Sequence, residues 1–278
     1  MNYYGLPEDG SRPYQNINAD PVSGERARNW TYNEQTVSVT NIRDTFDKEA
    51  AAGKQETYNL DTSGFLFSKG SSKHKSFTTS EEIEKEYYPE CIEYFKQLTG
   101  ASRVVIFDHT IRRRRPGELD DHPDRRQPVS LVHVDQTVKS SIARVHRHLP
   151  ADEAPELAKR RFQLINLWRP IDNPAWEWPL ALCDFRSVNY DQDLVPVALV
   201  YPDREGETFG VTHNPEHRWN YVKGMTPDEF VLIKCFDSLR DGSTAFLTPH
   251  TAFEDPTTPE GAPLRSSIEI RALLFYDE

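Results

Sequence analysis

Cysteine is scarce: 278 residues carry Cys91, Cys183 and Cys235, an odd number, far apart and with no CxxC pair. That excludes a disulfide framework and a zinc–thiolate cluster, and it favours a reducing compartment. Long apolar runs are missing too, since no stretch approaches the roughly 20 residues that cross a bilayer. The start, MNYYGLPEDGSRPYQ, lacks the basic-then-apolar pattern of a secretory signal. The cytoplasm is the expected location. Positive charge is in deficit, with 33 Lys and Arg against 44 Asp and Glu and a net charge of −11. A nucleic acid or an anionic membrane is therefore disfavoured as main partner. An anionic small molecule is not, because one enclosed arginine can hold it. There is no internal repeat and no low-complexity tract.

What is present belongs to a β-rich enzyme. Aromatics make up 11% of the chain, enough to line a pocket as well as a core. The length suits one domain: a polar arm over about 1–60, a core over 100–278, and helices inserted at about 138–162. The segment SEEIEKEYYPECIEYFKQLTG predicts a helix with Ser80 as N-cap, Gly100 as stop and Pro89 as a kink. RVVIFDHT reads as a buried strand, and 111–128 as a mobile loop. VSLVHVD reads as a strand ending at Asp135. Helices are expected in KSSIARVHRHL, with Ile142, Val145 and Leu149 on one face, and in ADEAPELAKRRF. Then come eight strand-like runs: FQLINLWRP, LALCDF, LVPVALVYP, ETFGVTHN, HRWNYV, EFVLIKCFDS, TAFLTPH and SIEIRALLFY. The expected fold is mainly β with peripheral helices, built on a double-stranded β-helix of jelly-roll or cupin type.

His133-Val134-Asp135 is the most informative tripeptide. Residues i and i+2 of a strand project to one side, so imidazole and carboxylate can reach one ion. A second histidine on the same face completes the two-histidine, one-carboxylate arrangement of non-haem iron(II) oxygenases, which leaves positions open for cosubstrate and O2. His213, His217 and His250 are candidates. His250, at the end of an apolar run, is favoured, while His217 in NPEHRWNY reads as a turn or surface residue. The strand that follows decides the matter. Alternation puts Arg265, Ser267, Glu269 and Arg271 on one face, a costly row for an ordinary core but a reasonable one beside a polar site. A guanidinium fork matches a carboxylate, and 2-oxoglutarate brings a distal carboxylate that needs one. His133, Asp135 and His250 are therefore the expected metal ligands and catalytic centre.

The stretch NLWRP…PLALCDFRSV…DLVPVALVYPDREGETFGVTHNPEHRWNYVKGMTPDEFVLIKCFDS…AFLTPHTAFEDPTTPEGAPLRSSIEIRALLFY resembles the fungal hydroxylase/desaturase group. That group is related to 7α-cephem-methoxylase and includes a gibberellin desaturase. The likeness runs from about residue 60 to the C-terminus. It implies an Fe(II)- and 2-oxoglutarate-dependent oxygenase that uses O2 to hydroxylate or desaturate a natural product in secondary metabolism. The class pattern H-x-D…H…R falls on His133, Asp135, His250 and one of two arginines, with a longer gap after His250 than in many members. Arg265 is expected to take the distal carboxylate with help from Ser267, and Arg271 a supporting or C1-carboxylate role.

Asn166 and Trp168 share a face of INLWRP and are placed over the cosubstrate; the plain alternative makes Trp168 core and Arg169 surface. Tyr201, Arg204, Tyr221 and Lys234 are weaker candidates, and Lys234 reads as solvent-facing. The run Arg112 to Arg115 with Arg125 and Arg126 is balanced by Glu118, Asp120, Asp121 and Asp124, so it reads as a solvated lid. Two other classes stay open: a cupin-like metal-dependent isomerase or hydrolase without 2-oxoglutarate, and a non-enzymatic small-molecule-binding barrel. A homodimer is left open as well.

Overall fold

Strands rich in β-branched residues need both faces covered, and the fold of the computed structural model follows from how that is done. The structure describes residues 1–18, 20, 23, 25–118, 120 and 125–277. The arm contributes β1 (Asn2–Gly5), β2 (Tyr14–Asn16), β3 (Thr31–Glu34), β4 (Val39–Asn41) and α1 (Arg43–Ala52). After β5 (Phe65–Lys69), a continuous helical stretch runs through α2 (Ser80–Glu82), a π turn (Ile83–Tyr87) and α3 (Tyr88–Thr99). Then come β6 (Arg103–Arg113), β7 (His133–Val134), α4 (Val138–His148) and α5 (Ala154–Leu157). The remainder is β8 (Phe162–Pro170), β9 (Leu180–Cys183), β10 (Leu194–Val200), β11 (Glu205–Val211), β12 (Trp219–Tyr221), β13 (Glu229–Asp237), β14 (His250–Ala252) and β15 (Ser266–Phe275).

Two sheets form the core. One has the order β5-β13-β8-β15-β6, antiparallel throughout. The other has the order β2-β10-β11-β7-β14-β9-β12-β4, with β2 and β4 of the arm added parallel at its two edges. This is the expected jelly-roll with peripheral helices. Every residue of β8 and β13 is buried. Helices cover one face of their sheet and the second sheet the other, which is why both read as near-continuous apolar runs. The helix-side core joins Phe95, Ile83 and Tyr87 to Leu164, Ile233 and Leu273.

All eight late runs contain strands, but several local expectations change. TAFLTPH is irregular up to Pro249, and His250 begins its strand instead of ending one. Thr79, not Ser80, caps the first long helix, accepting from the Glu82 N–H. Gly100 closes it in the left-handed conformation, as expected. Pro89 has no N–H to donate, and the π turn just ahead absorbs the mismatch. On α4 the buried residues are Ser141 and Val145, while Ile142 is 41% exposed. Ile142 sits one position, about 100° of rotation, off that stripe. The helix expected in 151–162 shrinks to four residues because Phe162 is already in the sheet. The loop expected from 111 begins only after Arg113, since β6 pairs with β15 as far as Arg113↔Ser266. Part of the lid reading, including Asp121 and Asp124, lies outside the described residues.

Candidate metal centre

β7 and β14 are neighbours, and their register sets His133 directly opposite His250. Directly opposed side chains on antiparallel strands start about 5 Å apart. The two rings accordingly meet at a centroid distance of 4.5 Å. Asp135, two residues beyond His133, turns to the same side. Its Oδ1 lies 3.3 Å from His133 Nε2 and 3.8 Å from His250 Nε2. The ligand-type atoms of all three residues lie within 4.8 Å of one another.

The tautomers follow from the outer hydrogen bonds. His133 Nδ1 is 2.7 Å from the Leu131 carbonyl and His250 Nδ1 3.0 Å from the Thr248 carbonyl. A carbonyl only accepts, so each Nδ1 carries the proton and each neutral ring turns the Nε2 lone pair inward. Two lone pairs and a carboxylate oxygen then face one another, which is favourable only around a cation. Burial, reinforced by His133, holds His250 below the usual imidazole range and so favours its neutral form. Burial alone would raise the Asp135 carboxyl, but its polar neighbours, the permanently charged Arg271 among them, hold it well below the usual range. Both are the ligating states.

The other oxygen of Asp135 is tied down. Oδ2 accepts from Asn166 Nδ2 at 2.7 Å and from Arg271 Nε at 3.3 Å. Arg271 also donates to Asp108 at 2.8 Å and Thr110 at 3.0 Å and pairs with Glu269 at 2.6 Å, so its fork is fully engaged. A bulge between Arg271 and Ala272 brings Asp108 opposite Arg271.

Beside the three ligand-type residues lies a cavity of about 330 Å³ whose lining includes Trp168, Arg112, Arg265 and Glu269. Arg265 is 3% exposed. It donates to the Trp178 carbonyl at 2.8 Å and to Ser267 Oγ at 3.3 Å, and its guanidinium lies 5.0 Å over the Trp168 ring. Among the described residues no carboxylate pairs with that guanidinium. Burial, with Arg112 adding to it, pushes Arg265 down to about 9. Arginine does not surrender its proton in proteins. The cost is therefore carried as an unmet demand for an anion.

Known proteins are similar to this chain over its whole length. The profile described as "Oxidoreductase/YMDC permease-like domain" matches residues 1–275. The hydroxylase/desaturase efuI of Hormonema carpetanum is 33% identical over all of this chain and 94% of its own length. The chain belongs to the fungal hydroxylase/desaturase family. The Fe(II)/2-oxoglutarate-dependent dioxygenase nvfI of Aspergillus novofumigatus is 28% identical over 97% of this chain and 93% of its own. The solved structure of the iron and alpha-ketoglutarate-dependent endoperoxidase NvfI superposes with a TM-score of 0.80 at 26% identity, covering 100% of this chain and 97% of that one.

In this hydroxylase/desaturase, the remaining sequence candidates separate cleanly. His213 packs edge-on against Tyr3, and His217 is buried against Asp193 at 3.0 Å, so His217 is no surface residue. Neither meets His133. Lys234 is also not solvent-facing: it is fully buried and bonds Asp61, Asp237, Thr244 and the Ala245 carbonyl. Arg169, on the face of β8 opposite Trp168, is buried too and donates to Tyr87, Gly70 and Pro227. Tyr221 donates to Asp255. Arg115, Arg125 and Arg126 pair with Glu118 and Asp120 of their own run, but Arg113 and Arg114 reach the remote Asp172 and Glu177, and all except Arg125 are partly buried, so the run is less solvated than expected.

Arg112 is the residue that reading missed. The signal was the unbroken alternation Asp108, Thr110, Arg112 on β6, opposite Arg271, Glu269 and Ser267. Trp178 was unforeseeable: it is the one non-glycine described residue with φ in the left-handed region, at 48°, and its carbonyl receives Arg265. All three thiols are buried, and burial raises each of them, so none is poised to ligate a metal.

Proposed function

We propose that His133, Asp135 and His250 hold the iron(II) of this oxygenase, and that Arg265 with Ser267 receives the distal carboxylate of 2-oxoglutarate above Trp168. The enzyme is an Fe(II)/2-oxoglutarate-dependent dioxygenase of secondary metabolism that hydroxylates or desaturates a small molecule. Two imidazoles and one carboxylate on one side of a cation leave positions open, which fits iron(II) and a chelating keto acid. When bound, iron, 2-oxoglutarate and O2 together supply an oxidant able to take hydrogen from carbon, with succinate and CO2 as coproducts.

The protein's share is placement. Asn166 and Arg271 hold Asp135 so that one oxygen faces the histidines. Arg265 is preset by Ser267 and the Trp178 carbonyl before any anion arrives, which lowers the ordering cost of binding. Trp168, whose indole N–H has no partner among the described residues, walls the cavity against water. The same reading takes the chain as one oxygenase unit with 1–60 as its arm. It also implies the cytoplasm, where iron(II) and three free thiols both persist. No described helix is long and apolar enough to cross a membrane.

One observation carries the proposal: both Nδ1 atoms are committed to carbonyls while both Nε2 atoms converge on Asp135. The test is anaerobic titration of iron(II) and 2-oxoglutarate into metal-free protein. Wild type should take up one iron, and His250→Ala none. Undiminished iron affinity in His250→Ala would remove that residue from the metal shell. Succinate formation coupled to substrate loss separates this reading from a cupin-like enzyme that ignores 2-oxoglutarate.

A further inference from the structure

A second cavity, of about 610 Å³, opens on the other side of Asp135, between α4 and the β10–β11 hairpin. Sharing Asp135 with the first cavity, it is where a molecule can reach the reacting centre without displacing the Arg265 region. Ala143, Leu199 and Tyr201 supply its apolar wall.

Its charge is unusual for this chain. Lys139, Arg144, Arg147 and Arg204 line it, although the protein as a whole carries −11. Lys139, Ala143 and Arg147 fall at i, i+4 and i+8 of α4, so one helix face delivers them to the same wall. Among the described residues none of the four cations pairs with a carboxylate. Arg144 instead contacts His148 at 3.4 Å and lies 4.9 Å over the Phe107 ring, and Arg204 lies 3.6 Å over Tyr201.

The acids that could neutralise this wall are engaged elsewhere. Glu205 and Glu207 both pair with Arg12 of the arm, at 2.8 and 2.6 Å, and Glu207 also accepts from Thr137. Asp108, the acid whose charge acts most on Arg144, pairs with Arg271 at 2.8 Å. Asp135 faces the histidines and Arg271. A cavity wall with surplus cations, apolar patches and pre-engaged acids is complementary to an amphipathic anion.

We propose that the substrate is an organic acid, its carboxylate held by Arg144 and Arg147 on α4 and its hydrocarbon body laid along Leu199 and Tyr201 toward Asp135. This rests on the reading of Asp135 as a ligand of the reacting centre. Two neighbouring guanidinium forks match a planar carboxylate, and a salt-dependent hold at the outer end leaves the buried end free to position carbon. The arm takes part indirectly, because Arg12 keeps Glu205 and Glu207 from filling the site with their own charge.

The test uses matched probes with the full-length protein: decanoic and abietic acids, the corresponding alcohols, and decyl phosphate, titrated calorimetrically in low and high salt. At least one acid should bind about tenfold or more tightly than its alcohol, with the preference shrinking in high salt. Arg144→Gln/Arg147→Gln should erase the preference without weakening the alcohol. Arg147→Gln and Lys139→Gln, both at exposed positions, should each reduce it while leaving the fold intact. Arg125→Gln, at an exposed pair with Glu118, should change nothing. Acids and alcohols that bind alike, or not at all, overturn the proposal, as does a preference that survives the double variant. Tighter binding of decyl phosphate than of decanoate would replace the carboxylate by a phosphate ester. Iron uptake measured on the same samples keeps the two readings apart: a protein that binds iron but shows no acid preference refutes only the charge assignment. One that shows the preference without binding iron refutes only the metal centre.

Discussion

Two buried polar clusters lie in this barrel, and they differ in whether they are closed. Around Lys234 every charge has its partner: the ammonium contacts Asp61, Asp237, Thr244 and the Ala245 carbonyl, and Asp237 also accepts from Arg161 and Gln163. Around Asp135 the carboxylate's second oxygen is equally well held, but His133 Nε2, His250 Nε2, the Arg265 fork and the Trp168 indole N–H stay open. Both clusters look the same in sequence, as ionisable residues interrupting apolar strands. A closed network is a structural element, whereas open lone pairs and an unpaired buried cation mark a site awaiting ligands.

The sharpest way to break that comparison is to remove a piece of each. His133→Ala or His250→Ala should abolish iron uptake and coupled succinate formation, with little loss of apo stability; metal analysis and turnover report it. Lys234→Ala should cost about 3 kcal/mol in denaturant unfolding by breaking a buried pair and leaving Asp237 with Arg161 as its one cation, yet leave the 2-oxoglutarate requirement unchanged. Arg265→Met should do the reverse, raising the 2-oxoglutarate KM about 30-fold or more while holding apo stability within about 1 kcal/mol. If Arg271→Ala raises that KM instead, with iron affinity intact, the two arginines have exchanged roles. Asn166→Ala should weaken iron binding about 10- to 100-fold through loss of the bond to Asp135 Oδ2, read by competition with a chelator.

The smallest expected effect separates the clusters by pH. Burial first, then the neighbouring His133, depresses His250; burial likewise depresses His217. The unfolded chain takes up protons near pH 6.5 that these folded sites refuse, so apo stability should fall as pH drops from about 6.5 toward the depressed values. Iron binding should weaken over the same window, since protons compete for Nε2. Asp237 is depressed despite its burial, chiefly by Arg161 and Lys234. Its contribution is fully present above about pH 3.8 and is lost only as pH falls through its folded value. Thermal melts of wild type and Lys234→Ala from pH 7.5 to 5 should therefore decline in parallel.

Much of the fold was legible because strand alternation is local. The inward row Arg265, Ser267, Glu269 and Arg271 needs only a period of two, and the structure buries the first three and half-buries Arg271, next to a single bulge. His133 and Asp135 share a side for the same reason. What failed were judgements of which face is wet. Lys234 and Arg112 sit on strands whose covering partners, the 240s loop and β15, are remote in sequence, so neither lysine nor arginine type told whether water or protein would meet it. Ile142 failed differently, because a one-residue error in helix phase moves a side chain from core to solvent.

The sequence by itself determined the donor types, their order and the faces they take within each strand, since those depend on side-chain chemistry and backbone period alone. Tertiary structure decided which histidine stands opposite His133, which arginine is left without a carboxylate, and which acids Arg12 draws away from the second cavity. Those outcomes depend on cross-strand register between distant segments, where a one-residue slip exchanges every inward side chain for an outward one.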